Sequence, residues 1–172
     1  MNRFGRGTIQ GSERAGGNCF VSVNGVPVAG ASLWSQPYNG GPAQQWIPAQ
    51  YPGNNPGNTG GVVCALYSGA SGTPTLVITA SSCGAGVTLQ PFQSGNLNQL
   101  WAYRGTGKQS TFLNLGSGCM LDMQGQQCNG GRIQTYTSNG SSAQSWKTLP
   151  IAEAAAMSVS ISNAGGMEGA GA

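Results

Sequence analysis

The stretch Gly118–Trp146 reads GCMLDMQGQQCNGGRIQTYTSNGSSAQSW. It holds Asp122, the only aspartate of the chain, then a Gly-rich turn, the strand-like run Arg132-Ile133-Gln134-Thr135-Tyr136, and a closing Gln144-Ser145-Trp146. That Gln-x-Trp triplet stands twice upstream, as Gln44-Gln45-Trp46 and Gln99-Leu100-Trp101. A closing motif used three times implies a structural unit used three times. The tryptophans stand 55 and then 45 residues apart, enough for about four short strands per unit at the turn spacing of an all-β sandwich or barrel.

The rest of the chain agrees with that pattern. Runs rich in β-branched and aromatic residues, such as Cys19-Phe20-Val21-Ser22-Val23, Val62–Tyr67, Thr75–Thr79 and Val87–Phe92, read as strands. Thirty glycines and nine prolines supply turns rather than long helices. Asn24-Gly25 has the form of a two-residue hairpin turn. A propeller typically needs at least four blades, and 172 residues leave room for three units. Three four-stranded units closing on themselves make an all-β fold with pseudo-threefold symmetry, the β-trefoil. The reading places it at residues 15–150, with repeats at 15–54, 58–106 and 109–150. Residues 1–14 are expected to be a flexible arm with a short strand near Thr8-Ile9. The Ala-, Gly- and Ser-rich residues 151–172 are expected to be a disordered tail or linker.

Charged residues are only 6% of the chain, so Ser, Thr, Asn and Gln must make the polar surface. The net charge of +3 comes from dispersed basic residues, loosely grouped only at Arg3, Arg6 and Arg14, which is no phosphate-binding patch. Nucleic acid is therefore not an expected partner. No histidine is present, which removes the commonest general base and metal ligand. Between Ala15 and Pro150 the only carboxylate is Asp122, whereas a glycosidase opposes two. The inventory points away from catalysis and calls for no metal or cofactor. No apolar run approaches the roughly 20 residues of a membrane span, so membrane insertion is not expected. The basic start Met1–Arg6 is followed by no apolar core of a signal peptide.

The five cysteines leave at least one unpaired. Sequence cannot assign the pairing. Cys64–Cys83 and Cys119–Cys128, each within one repeat, are the candidate bridges, and small buried thiols that never oxidise are an equal alternative. Asn139-Gly140-Ser141 fits the glycosylation pattern, which many chance sequences also fit.

The order Cys-Met-Leu-Asp, Gly-rich turn, Gln-Thr-Tyr, Asn-Gly turn and Gln-x-Trp resembles that of the R-type lectins, β-trefoils like the ricin B chain and the carbohydrate-binding modules of many glycosidases. The resemblance runs from Gly17 to Thr148, strongest in the third unit and weakest in the second. It implies that Trp46, Trp101 and Trp146 are core residues and that each triplet glutamine ties strands together. It also implies a sugar pocket built from a carboxylate, an aromatic platform and an amide. Charged acceptors strengthen hydrogen bonds to hydroxyls, and aromatic faces cover the C–H side of a sugar.

In the third unit these roles fall on Asp122, Tyr136 and Gln144. Ala143 stands where the family has an asparagine, and Asn139 is the candidate substitute, provided that it carries no glycan. In the first unit they fall on Trp34, Asn39 and Gln44, with Val21 or Ser22 in the carboxylate position. In the second they fall on Phe92, Asn98 and Gln99, with Ile78 or Thr79 replacing the carboxylate. The resemblance thus implies non-catalytic binding of a galactose- or N-acetylgalactosamine-type glycan or glycoprotein, mainly by the third repeat. Avidity would come from an oligomer or a fused domain, and an extracellular setting is typical of the family. The alternatives are a protein-interaction or structural trefoil with lost sugar sites, or the binding module of a larger secreted glycosidase.

Overall fold

The computed structural model describes residues 2–3, 6–11, 19–50, 62–70, 75–106 and 109–150. After a two-residue strand β1 (Asn2–Arg3), the first unit comprises β2 (Gly7–Gly11), β3 (Phe20–Val23), β4 (Leu33–Gln36) and β5 (Trp46–Gln50). The second comprises β6 (Val62–Ser68), β7 (Leu76–Thr79), β8 (Thr88–Pro91) and β9 (Trp101–Thr106), and the third β10 (Gln109–Asn114), β11 (Met120–Met123), β12 (Ile133–Tyr136) and β13 (Trp146–Pro150). Among the described residues no helix is long and apolar enough to cross a membrane.

The outer strands of the units pair in a ring. β2 pairs with β5, β5 with β6, β6 with β9, β9 with β10, β10 with β13, and β13 returns to β2, all antiparallel. Closure into six strands removes the edges that an open sheet would leave. The inner strands of each unit form a hairpin, β3–β4, β7–β8 and β11–β12. The three hairpins meet through the bridges Ser32↔Thr88, Gly86↔Gln134 and Trp34↔Arg132, one between each pair of units. This is the β-trefoil.

The three triplets do the same work in each unit. Trp46, Trp101 and Trp146 are at most 1% exposed. Each donates its indole N–H to the hairpin strand of its own unit, at 2.9 Å to the Val21 carbonyl, 3.1 Å to Ile78 and 3.1 Å to Leu121. A buried indole needs such a partner, because an unpaired N–H in the core costs free energy. Around the indoles pack Val21, Leu33, Ile78, Leu89, Leu121 and Ile133, all within one core cluster.

Three expectations need correction. First, the barrel begins at Gly7, not at residue 15, because β2 lies between β13 and β5 with Ile9 only 3% exposed. Its sequence GTIQG has one large apolar residue, too few to show an alternation. Second, Asn24-Gly25 does not make a two-residue hairpin, since β3 ends at Val23 and β4 starts at Leu33. The loop is long because it reaches the neighbouring unit, where the Gly30 N–H meets the Leu89 carbonyl at 2.7 Å. The other hairpin loops do likewise, with Gly84 N–H on the Thr135 carbonyl at 2.7 Å and Gly130 N–H on that of Ser35 at 2.6 Å. Glycine suits these sites because φ is 89°, 90° and 101° there.

Third, the disulfides join different units. Cys19 is bonded to Cys128 and Cys83 to Cys119, while Cys64 is free and buried. Cys19 and Cys119 are symmetry equivalents, each immediately before β3 or β11, and each reaches the hairpin loop of the preceding unit in the ring. The third equivalent position is Leu76, which packs against the core instead. Pairing within a repeat fails because the hairpin loops lie on their neighbours. The Pro/Asn/Gly segment 51–61 and the proposed tail 151–172 lie outside the described residues.

Candidate functional site

The third unit brings its candidate residues together on the outward face of the β11–β12 hairpin. Asp122 stands opposite Gln134, and Met120 opposite Tyr136. Because side chains alternate along a strand, Asp122, Gln134 and Tyr136 share that face, while Leu121 and Ile133 point into the core and Thr135 bonds to the Ser82 carbonyl of the neighbouring hairpin loop. The segment from Thr137 to Ser145 folds back over the face and ends in a single 3-10 turn, Ser142–Gln144.

Asp122 is only 4% exposed. Its Oδ1 accepts a hydrogen bond from Gln134 Nε2 at 3.1 Å, and its Oδ2 accepts one from Gln144 Nε2 at 3.0 Å. A carboxylate offers about four lone-pair sites, so two acceptor positions remain. Gln134 is in turn held by Arg132, whose Nη2 donates to Gln134 Oε1 at 2.9 Å and to the Gly84 carbonyl at 3.1 Å. Tyr136, at the far end of this row, is 47% exposed. The arrangement places an oriented charged acceptor beside an open aromatic ring. Such a surface can accept hydroxyl hydrogens and cover an apolar patch of the same ligand.

Gln144 is 2% exposed and fully used. Its Oε1 accepts the Asn139 N–H at 3.1 Å, and its Nε2 also donates to the Thr137 carbonyl at 2.9 Å. It positions Asp122 rather than facing a ligand. Asn139 is exposed, and its Oδ1 accepts the Ser141 N–H at 2.9 Å, so it shapes the turn while its amide N–H groups are left to offer outward. Ala143 is buried, so no side-chain amide comes from that position.

Symmetry serves as an internal control. Each tryptophan N–H marks a carbonyl, and the next residue is the carboxylate position, which gives Ser22, Thr79 and Asp122. In the second unit, Gln99 Nε2 donates to Thr79 Oγ1 at 3.2 Å and to the Pro91 carbonyl at 2.8 Å, and its Oε1 accepts the Gln93 N–H. In the first, Gln44 Nε2 donates to the Pro37 carbonyl at 2.8 Å and its Oε1 accepts the Asn39 N–H, also at 2.8 Å. The glutamine tie is thus common to all three units, whereas a charge at its end occurs once.

The ring residues expected in the other units do not occupy the platform position. The bridges between hairpins align Trp34, Thr88 and Gln134 with one another, so the equivalents of Tyr136 are Gln36 and Gln90. Trp34 is half-buried opposite Ser22. Phe92 lies beyond its strand and packs on Tyr67, with ring centroids 5.9 Å apart. Asn39 has its Oδ1 on the Gly41 N–H at 2.7 Å, matching the turn of Asn139. Asn98 packs its side chain over Gly116, where a Cβ would collide with it. Among the described residues, neither of these units gathers a carboxylate and a ring.

Gln134 and Arg132 were not singled out from the sequence. The available signal was alternation, because Arg132, Gln134 and Tyr136 are spaced by two along a strand. Loop 124–131 beside them holds two non-glycine residues in left-handed conformation, Gln126 with φ 55° and Asn129 with φ 62°. Each such residue carries a modest backbone cost, and that cost tends to gather near functional surfaces. The loop is anchored by Cys128 and by a hydrogen bond between Ser142 Oγ and Gln126 Oε1 at 2.8 Å.

No protein-family profile and no curated protein matches the sequence. Solved structures do match in shape. The designed threefold-symmetric protein ThreeFoil aligns with a TM-score of 0.68 and 23% identity over 85% of this chain and 99% of its own. The C-terminal half of an earthworm R-type lectin, solved with GalNAc, aligns at 0.61 and 19% identity over 85% and 98%. An exo-β-1,3-galactanase from Clostridium thermocellum aligns at 0.68 and 20% identity over 85% of this chain but only 30% of the enzyme's. The chain is therefore a β-trefoil, built on the threefold plan that these proteins share.

Proposed function

We propose that the protein binds carbohydrate without catalysis, through the hairpin face of the third unit. In this reading Asp122 accepts two sugar hydroxyls, Gln134 and Gln144 hold it in place, and Tyr136 stacks on the sugar. One observation carries the proposal. The fold asks for no more than a neutral acceptor at the end of the glutamine tie: the Thr79 hydroxyl supplies it in the second unit, and in the first, among the described residues, Gln44 bonds to backbone groups alone. Asp122 replaces it with a nearly buried carboxylate that has two amide partners and, among the described residues, no cationic one. Burying a charge is costly, and the second unit shows that the glutamine tie itself needs no more than a hydroxyl at this position.

The ligand class follows from the resemblance together with the lectin and galactanase shapes: a galactose- or N-acetylgalactosamine-type residue of a glycan or glycoprotein. One such site binds a monosaccharide weakly, so working avidity requires an oligomer or a linked domain. A second reading, in which the trefoil delivers a linked enzyme to its polysaccharide, is favoured by the partial coverage of the galactanase. Calorimetric titration with galactose and N-acetylgalactosamine tests the binding. Saturable binding by the native protein that is lost in Asp122→Thr supports it, and absence of binding to either sugar rejects it.

A further inference from the structure

We infer that Arg132 is a specificity-determining residue that selects an acidic substituent, carboxylate or sulfate, on the bound galactoside or on the sugar next to it. The inference rests on the carbohydrate reading of the same site.

Arg132 is exposed, yet its guanidinium is held in place. Both of its hydrogen bonds leave from Nη2, one to the Gly84 carbonyl and one to Gln134 Oε1. Nε and Nη1, with three N–H groups between them, have no partner among the described residues. Among the described residues no carboxylate neutralises the charge, since the only acidic one, Asp122, bonds to the two glutamines. An arginine normally loses side-chain entropy when it captures an anion. Here the two bonds have already fixed it.

Position fits the same role. Arg132, Gln134 and Tyr136 alternate on one strand, so successive side chains stand about 7 Å apart, roughly the width of one pyranose. A sugar seated between Asp122 and Tyr136 therefore directs a substituent or its neighbour toward the guanidinium. Gly86 leaves the space for this, since a Cβ there would sit 3.1 Å from Arg132 Cδ. Neither counterpart in the other hairpins, Ser32 or Gly86, carries a charge. The cation thus stands on the one unit that also holds the carboxylate.

The test compares galactose, galactose 3-sulfate and galacturonic acid by calorimetry on the native protein and on Arg132→Gln, at about 20 and 300 mM salt. The expected result is that at least one acidic sugar binds about fivefold more tightly than galactose at low salt, the scale of a single partly exposed charge-assisted contact. That ratio shrinks at high salt and approaches one in Arg132→Gln, whatever the variant does to galactose itself. The two acidic sugars separate sulfate from carboxylate preference. Galactose binding with no acidic preference, or a preference that survives Arg132→Gln, overturns the role of Arg132 and leaves the carbohydrate reading intact. Binding of none of the three sugars overturns both.

Discussion

Asp122 and Thr79 hold the same place in two units of one barrel, each one residue past the carbonyl that receives a tryptophan indole N–H and each accepting from a triplet glutamine. Both end the glutamine tie, but Asp122 also accepts from Gln134 opposite it, whereas Thr79 donates to the Val77 carbonyl. Three copies of one unit therefore separate what the architecture demands from what a single unit has added.

The substitution Asp122→Thr puts the second unit's hydroxyl at this position of the third and should leave the fold intact. Its stability is expected to lie within about 1 kcal/mol of the native protein, because relief of a buried charge and a hydroxyl that still accepts from Gln144 offset the loss of the Gln134 contact. Asp122→Ala should instead cost about 1–3 kcal/mol, since the amides of Gln134 and Gln144 lose their acceptor. Urea unfolding followed by tryptophan fluorescence checks both. Sugar binding should be lost in both variants, so only the threonine variant separates function from stability.

Tyr136→Ala should lower galactose affinity about tenfold, the worth of one aromatic contact. Stability should stay within about 0.5 kcal/mol, because the ring is half-exposed. Trp34→Ala should leave galactose affinity unchanged, since that indole aligns with Gln134 in another unit and not with Tyr136. Titrations of the two variants side by side distinguish a platform from a surface ring.

The fold was readable because the triplets report directly on the core. A glutamine and a tryptophan two residues apart end every unit, and their roles repeat with nearly the same bonds. The proposed site drew on Asp122, the chain's single aspartate, and on Tyr136, and the structure places both on one face of the third hairpin. Gln134 escaped notice because glutamines are common here and its role depends on the strand opposite. Trp34 and Phe92 were misplaced for the converse reason, because an aromatic residue draws attention while its register does not show in sequence. The disulfides were misassigned because contacts between units depend on how hairpin loops overlap around the ring, which spacing along the chain does not encode.

Peptide mapping under non-reducing conditions should recover Cys19 linked to Cys128 and Cys83 linked to Cys119. Each bridge ties a strand to the preceding unit's hairpin loop, so removing either should cost about 2–5 kcal/mol. The Cys83–Cys119 pair has a second expected effect. Cys83 lies 3.7 Å from Thr137 Oγ1, next to Tyr136, and Thr135 Oγ1 donates to the Ser82 carbonyl at 3.0 Å. The double variant Cys83→Ala/Cys119→Ala should therefore weaken sugar binding as well as stability. Cys19→Ala/Cys128→Ala should act mainly on stability.

Cys64 offers a test of the core itself. Burial on β6 pushes its thiol up to about 12 from an ordinary 9.0, because the thiolate would be stripped of water. At neutral pH the native protein should resist alkylation at Cys64, and one thiol per chain should appear on unfolding in denaturant without reductant. The linkage has a definite sign. Below about 9 the thiol is protonated in both folded and unfolded chains and stability does not depend on it. Above that, the unfolded chain releases the proton while the folded one keeps it, so stability falls as pH rises from about 9 to about 12. Urea midpoints measured across this range should decline in the native protein and decline less in Cys64→Ala. An equal decline in both would assign the alkaline loss to other groups.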